Sequence, residues 1–259
     1  MKLVQVQVFF RHGARTPLHH VPTAAYWTED LVKDHEKVFV DIPTRNFKTK
    51  DIIPGFHYEN LAARSRLNGG ALTGTLTYKG QKQLLDLGSV LRDLYSNKVF
   101  SIRNPHSIFI RSTGFSRTVR SAQSLLTSLF NNDRSIMSYI CIYVQNLNED
   151  ILALTLESNE YFSVLNNAGR KACSENQEIS LLKQKVKSIL KVDKITDTIR
   201  SNHPYTDEPL YVVRDDFISR VFHGFPIPQP MSEISTKLEE LSTYELNLEY
   251  GGPKEYVVQ

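Results

Sequence analysis

The feature that most limits how this chain can fold is a short charged run that follows an apolar stretch. Residues 3 to 10 alternate between polar and apolar side chains and end wholly apolar, the pattern of a strand entering a buried sheet. The run Arg11-His12-Gly13-Ala14-Arg15-Thr16-Pro17 begins at the next residue. Because ligands of parallel α/β sheets bind beyond the carboxyl ends of the strands, the sequence predicts a ligand site at this run.

The rest of the first half alternates between helical and strand patterns. Residues 18 to 76 hold several prolines and glycines without sustained periodicity, which predicts a long loop with short elements. Apolar spacing predicts amphipathic helices over residues 77 to 96 and 115 to 129. Short strands are predicted at residues 107 to 110 and 138 to 144. This alternation indicates an α/β domain with a largely parallel sheet.

The pattern changes after about residue 146, where helical periodicity continues without clear strands. Helices are predicted over residues 181 to 191, 209 to 222 and 232 to 244. We therefore expect an α/β core over residues 1–145 and a mostly helical region over residues 146–259.

A second arginine occupies the same kind of position as the first run. Arg111 follows the predicted strand at residues 107 to 110, as Arg11 follows the strand at residues 3 to 10. Since the carboxyl ends of parallel strands meet at one edge of a sheet, we expect Arg11 and Arg111 to share a site. The helix predicted just after Arg111 would add the partial positive charge of its amino terminus.

These residue types suit the transfer of a phosphoryl group. A guanidinium group is planar, stays charged and donates two parallel hydrogen bonds to phosphate oxygens. His12 would attack phosphorus with one ring nitrogen if the other donates to a carbonyl group and thereby fixes the tautomer. Gly13 would allow the backbone to approach a ligand closely. The scheme requires no metal ion and no cofactor.

Composition narrows the classes of partner. A net charge of +3 suits a small anionic substrate but falls short of the basic stripe of a nucleic-acid-binding protein. No apolar run approaches the length of a membrane span. The first ten residues lead directly into the charged run without a cleavable signal, so the sequence as it stands predicts a cytoplasmic protein.

Together these motifs resemble the histidine acid phosphatases. The run from Arg11 to Pro17 is similar to the signature of that family, and Arg111-Ser112-Thr113 with Arg117-Thr118 resembles its second conserved strand and helix. Residues 69 to 77 resemble the lysophosphatidic acid phosphatase branch, and residues 214 to 241 resemble the helical cap of the family. The resemblance implies a histidine-phosphatase-like sheet flanked by helices, with an α-helical cap insertion.

The resemblance also implies roles for single residues. His12 would be the nucleophile that forms a phosphohistidine, and Arg11, Arg15 and Arg111 would bind the phosphoryl oxygens. Thr16 would shape the loop and contribute to substrate binding. The implied substrate is a small phosphate monoester or a lysophospholipid, and relatives in the family are lysosomal, secreted or mitochondrial.

One element of the family pattern is missing. The family uses a later His-Asp pair whose aspartate protonates the leaving oxygen, and this sequence contains no His-Asp dipeptide. We therefore expect a carboxy-terminal block, with core strands, to be absent and the sheet to be incomplete. Two interpretations stay open: an acid phosphatase with impaired activity, or a catalytically inactive, truncated relative that binds phosphate or phospholipid. A mutase of the same broad superfamily fits the Arg15-Thr16-Pro17 run less well.

Overall fold

A computed structural model describes residues 3–22, 26–33, 42–95, 107–152, 160–195, 209–227 and 229–251. The chain divides into two compact units. The first unit draws on Met1–Arg15, Thr28–Arg64 and Thr75–Leu154, and the second on Thr16–Trp27, Ser65–Gly74 and Thr155–Gln259. The domain boundary that the sequence places after residue 145 stays a prediction.

The first unit combines a small parallel sheet with two main helices. Strands β1 (Thr44–Asn46) and β2 (Ile142–Val144) pair in parallel, with Thr44 opposite Ile142. Helices α1 (Tyr78–Tyr95) and α2 (Ser116–Leu129) confirm the two amphipathic helices, and a short helix α3 (Arg134–Met137) precedes β2. The α/β class is therefore confirmed, with a sheet of two strands in the described part of the chain.

Apolar faces of the helices and strands meet in one core. Each fully buried aliphatic side chain in such a core contributes about 1.5–3 kcal/mol through removal from water. The central members of this core are buried side chains of α1, α2 and β2: Leu84, Val119, Leu125, Leu126, Ile142 and Val144. Helical periodicity predicts this face because residues three and four apart lie on one side of a helix.

The prediction of a strand at residues 3 to 10 is wrong. These residues form no assigned strand, and most of their side chains are exposed, including Val4 (85%) and Phe9 (91%). Residues 107 to 110, which are also predicted to be a strand, do not form one. The next residue, Arg111, pairs with Tyr143 of β2 in a single parallel bridge. An alternating pattern shows that a segment is able to pair, but a strand requires a neighbour with matching backbone groups.

The second unit is helical. Its helices are α4 (Glu160–Glu175), α5 (Gln177–Leu190), α6 (Leu210–His223), α7 (Gln229–Glu233) and α8 (Ser235–Gly251). The three helices predicted after residue 180 are confirmed by α5, α6 and α8. Helix α6 ends at Gly224 because that residue adopts the left-handed conformation (φ +75°) that glycine tolerates. Buried side chains of this unit include Ile179, Leu182, Val186, Leu210, Val213 and Leu238.

No helix among the described residues is long and apolar enough to cross a membrane.

Candidate active site

The charged run is held against the first turn of α1 by backbone contacts. The carbonyl oxygen of Ala14 accepts hydrogen bonds from the Thr77 amide and the Thr77 hydroxyl, both at 3.0 Å. The Ala14 amide donates to Gln83 Oε1 at 2.8 Å. A Cβ atom on Gly13 would lie 2.2 Å from the carbonyl oxygen of Gly80, so the close approach that Gly13 permits is to helix α1. These contacts fix the loop that carries His12.

The His12 ring is held in one tautomer. Its Nδ1 atom lies 2.8 Å from the carbonyl oxygen of Gly13, which only accepts, so Nδ1 carries the proton and donates. The other ring nitrogen, Nε2, then carries the lone pair when the ring is neutral. The arrangement matches the geometry that the sequence analysis requires of a histidine nucleophile.

Burial and positive charge keep the His12 ring neutral. Burial is the largest cause that lowers the pKa of His12, and the positive charges of Arg15, Arg117 and Arg11 lower it further, while the hydrogen bond to Gly13 acts in the opposite direction. The result is a pKa of about 4, below the usual 6.5. The same guanidinium groups would attract a phosphate dianion to the ring. Arg11 and Arg15 thus act electrostatically on His12, and their predicted binding of the phosphoryl oxygens stays a prediction.

Arg117 also acts on His12, although the sequence did not predict it as a site residue. It lies in the first turn of α2, and the carbonyl oxygen of Arg117 accepts from the hydroxyl of Ser121, which itself accepts from the amide of Gly13 (3.1 Å). The Arg117 side chain is 13% exposed, and within the described residues its Nε atom has no hydrogen-bond partner. Burial and the charge of Arg15 lower the pKa of Arg117 to about 10, so it stays protonated at neutral pH.

The amino terminus of α2 is occupied by a side chain of the protein itself. The Ser116 amide, the first of the helix, donates to Glu59 Oε2 at 3.0 Å. Glu59 also forms a bidentate ion pair with Arg64, with Nε to Oε1 at 2.8 Å and Nη2 to Oε2 at 2.5 Å. The partial positive charge that the sequence predicts at this helix end therefore faces the Glu59 carboxylate.

Arg111 is engaged in a different contact. Its Nη2 atom donates to Asp150 Oδ1 at 2.6 Å, and its Nη1 atom donates to the carbonyl oxygens of Ser112 and Tyr143. The Asp150 carboxylate is fully buried, so the Arg111 guanidinium supplies its counter-charge. The predicted contribution of Arg111 to phosphate binding stays a prediction, whereas Arg117 is among the charges that act on His12.

Thr16 is fully buried and belongs to the second unit. Its hydroxyl donates to the carbonyl oxygen of Leu72 at 2.7 Å, and the carbonyl oxygen of Pro17 accepts from the Gly74 amide at 2.8 Å. These bonds tie the end of the charged run to the 69–77 stretch that resembles the lysophosphatidic acid phosphatase branch. The loop-shaping role of Thr16 agrees with its contacts, and its contribution to substrate binding stays a prediction.

In chemical terms, His12 with Arg11, Arg15 and Arg117 combines a neutral imidazole with positive charges that suit an anion. A nucleophilic nitrogen and several guanidinium groups are present, which suits a phosphoryl group whose negative charge is spread over its oxygen atoms. Over the described ranges, no group of three or more histidine, cysteine, aspartate or glutamate side chains is placed to hold a metal ion.

Comparison with known proteins agrees with this chemistry. Residues 2–210 match the model of the histidine phosphatase superfamily, branch 2. The chain is 30% identical to lysophosphatidic acid phosphatase type 6 of Mus musculus over 193 residues, which are 73% of this chain and 45% of that protein. The Homo sapiens protein of the same name is 30% identical over 200 residues, 74% of this chain and 46% of that protein. Prostatic acid phosphatase of Mus musculus is 29% identical over 191 residues, 69% of this chain and 48% of that protein. The chain thus spans just under half the length of these relatives.

Proposed function

Because this chain belongs to branch 2 of the histidine phosphatase superfamily, we propose that it is a phosphoric monoester hydrolase that uses His12 as its nucleophile. The observation that carries the proposal is the state of the His12 ring. Nδ1 is committed to the Gly13 carbonyl oxygen, and burial together with the positive charges of Arg15, Arg117 and Arg11 lowers the pKa of the ring to about 4. A neutral nucleophile among positive charges is what attack on a phosphate dianion requires.

The reaction proceeds in two displacements at phosphorus. The Nε2 lone pair forms a P–N bond while the P–O bond to the alcohol breaks, and the leaving oxygen keeps the bonding electrons and takes up a proton. Water then attacks phosphorus and loses a proton to the solvent, the electron pair of the breaking P–N bond returns to Nε2, and inorganic phosphate leaves with His12 neutral again. Arg11, Arg15 and Arg117 offset the charge on the phosphoryl oxygens in both steps.

Donation of a proton to the leaving oxygen is the step of this reaction for which the sequence offers no family residue. The sequence has no His-Asp dipeptide, the pair whose aspartate supplies that proton in the family. A positioned general acid contributes about 10²–10⁴-fold to the rate. We therefore propose that the chain retains phosphoryl transfer but is impaired on alkyl phosphates, whose alkoxide is a poor leaving group.

Two substrates test this proposal. The full chain is assayed with 4-nitrophenyl phosphate, whose phenolate leaves without a proton, and with a lysophosphatidic acid, with His12→Ala as the control. We expect turnover of the aryl ester that His12→Ala abolishes, and alkyl turnover slower by about 10²–10⁴-fold. Equal rates on both esters would mean that an acid is present in the chain. No turnover of either ester would contradict the phosphatase function.

A lysophospholipid is the substrate class that we favour. Lysophosphatidic acid appears in the names of two of the relatives. The first unit also holds an apolar cavity of about 180 Å³ that extends to Phe10, the residue before Arg11, and to Arg111. Its other walls include Val8, Leu91, Leu125 and Leu126. An apolar cavity that reaches Arg111 and the residue before Arg11 suits an acyl chain that carries a phosphate group.

A second candidate function is phosphate or phospholipid binding without turnover. The missing His-Asp pair and the exposed apolar side chains of residues 3 to 10 favour it, since an uncovered apolar surface is a feature of interaction sites. Thermal unfolding with inorganic phosphate distinguishes the two functions. A binder is stabilised by phosphate and releases no alcohol from either ester, whereas a fragment without a folded site shows no phosphate-dependent shift.

A further inference from the structure

We propose that Glu59 is a positioning residue for phosphate binding: it holds the Arg117 guanidinium beside His12 and occupies the amino terminus of α2. The inference rests on the proposed function, because it assigns Glu59 a task in the same anion site. It extends that function to a loop residue that lies outside the sequence motifs described above.

The contacts of Glu59 place it between a loop and a helix. Both of its oxygens bind Arg64, Oε2 accepts from the Ser116 amide, and Oε1 lies 3.8 Å from Arg117 Nη1. Arg64 completes the arrangement by donating to the hydroxyl of Thr75 at 3.0 Å and to the hydroxyl of Ser116 at 3.2 Å. Since the side chains of Glu59, Arg64 and Arg117 are 12%, 9% and 13% exposed, solvent screens these interactions weakly.

Charge balance explains why a carboxylate is needed at this place. Burial and the positive charges of Arg15, Arg64 and Arg11 all lower the pKa of Arg117, and Glu59 acts against them. Several guanidinium groups at close range repel one another, and the repulsion is greatest where water is excluded. Without Glu59, Arg117 would lower its energy by turning away from the other guanidinium groups, which would remove one of the charges that act on His12.

Glu59 itself is unsuited to act as the missing acid. Burial tends to raise the pKa of Glu59, but the hydrogen bond and charge of Arg64, the Ser116 amide and Arg117 outweigh burial, so the pKa is lowered. A carboxyl group whose pKa is lowered holds its proton less readily than an ordinary glutamate, so Glu59 is a poor proton donor. Its negative charge would also repel a phosphate dianion at close contact, so it acts through Arg117.

Phosphate affinity of the Glu59→Gln protein tests the inference, with inorganic phosphate as the probe in titration calorimetry. We expect the dissociation constant to rise about tenfold, within the range of couplings between residues in contact. Glu149→Gln is the matched control, because Glu149 is a carboxylate of the same unit that pairs with a lysine, Lys48, at an exposed position. The control should bind phosphate as the wild type does.

A double-mutant cycle distinguishes positioning from a general structural effect. In an Arg117→Ala background, Glu59→Gln should change the dissociation constant by less than about twofold, because the residue through which it acts is already gone. An equal loss in both backgrounds would overturn the inference. If Glu59→Gln does not fold, Glu59→Asp keeps the charge and shortens the reach, and we expect an intermediate loss of affinity from it. Wild-type affinity of Glu59→Asp would also overturn the inference.

The binding measurement separates this inference from the proposed function. If the wild type binds phosphate but hydrolyses no ester, the phosphatase function fails while the Glu59 comparison still gives its result. If the wild type hydrolyses esters and Glu59→Gln binds phosphate equally well, the inference alone fails. A wild type that binds no phosphate would overturn both.

Discussion

Gly80 of helix α1 lies directly against the backbone of Ala14, two residues after His12. A Cβ atom on Gly80 would lie 2.1 Å from the carbonyl oxygen of Ala14 and 2.6 Å from its nitrogen. Neither atom belongs to a flexible side chain that is able to move aside. The position of the nucleophile therefore depends on the absence of a side chain in the first turn of a helix.

Gly80→Ala should destabilise the protein, although alanine is the better helix former by about 1 kcal/mol. Overpacking against fixed backbone costs about 1–3 kcal/mol, so we expect a net loss in the free energy of unfolding and weaker phosphate binding. Urea unfolding followed by circular dichroism measures the first quantity. Gly55→Ala is the control, because nothing lies within 4 Å of its Cβ position and only its φ of +72° resists the change. A Gly80→Ala protein more stable than the wild type would contradict the close packing.

Arg117 and Arg111 should respond differently to substitution. Arg117→Ala removes a charge that acts on His12, and we expect weaker phosphate binding with a smaller change in stability. Arg111→Ala leaves the buried Asp150 carboxylate without its counter-charge, which costs about 3–5 kcal/mol of folding free energy. Calorimetric titration with phosphate and urea unfolding of both variants provide the test. The reverse pattern, with the larger loss of phosphate binding in Arg111→Ala, would support the predicted role of Arg111 and contradict that of Arg117.

The His12 ring should titrate near pH 4. Since its folded pKa lies below the unfolded value of 6.5, the unfolded chain binds more protons between these two pH values. The contribution of His12 to the free energy of unfolding therefore rises with pH through this window and is constant above it. We expect His12→Gln to lose this dependence. An imidazole that titrates near 6.5 in an NMR pH series would show that the ring is not held neutral by its surroundings.

Glu249 of α8, in the second unit, should make the free energy of unfolding fall with rising pH, the opposite of the effect of His12. Burial raises the pKa of Glu249 to about 7, with Arg170 acting against it and Glu245 adding to it. Because the folded pKa is raised, the stabilising contribution is complete below pH 4.5 and is lost as the pH rises through 7. We expect Glu249→Gln to match the wild type at pH 4 and to be more stable at pH 8. Fluorescence of Trp27, the single tryptophan and a residue of this unit, follows the unfolding.

Glu240→Gln is the control for Glu249, because Glu240 lies on the same helix with its side chain 65% exposed. It should change the free energy of unfolding little at either pH. If the difference in free energy of unfolding between Glu249→Gln and the wild type is the same at pH 4 and at pH 8, the raised pKa of Glu249 is contradicted.

Local patterns in the sequence predict much of this fold. The helical periodicity of α1 and α2 predicts both helices correctly, because the hydrogen bonds of a helix join residues that are four apart in the sequence. The segment at residues 3 to 10 has an equally clear pattern, but Phe9 is 91% exposed because a strand needs a partner that the pattern does not specify.

The same limit applies to the site. The motif predicts Arg11, His12 and Arg15, which lie within five residues of one another. Which of Arg111 and Arg117 acts on His12 depends on where α2 begins. It also depends on the contact of Arg111 with Asp150, a residue 39 positions later in the sequence. One signal in the sequence favours Arg117: Arg117-Thr118 lies in the stretch that resembles the second conserved strand and helix of the family. Nothing in the sequence marks Glu59, since its role depends on tertiary contacts alone.

The measurement that tests the account most directly is the capture of phosphate on His12. The chain is mixed with ³²P-labelled 4-nitrophenyl phosphate and denatured in alkali, where a phosphohistidine persists, and the label on the protein is located by peptide mapping. We predict label on the peptide that contains His12 in the wild type and none in His12→Ala. Label that persists in His12→Ala, or a wild type that releases nitrophenol without ever carrying label, would contradict the account.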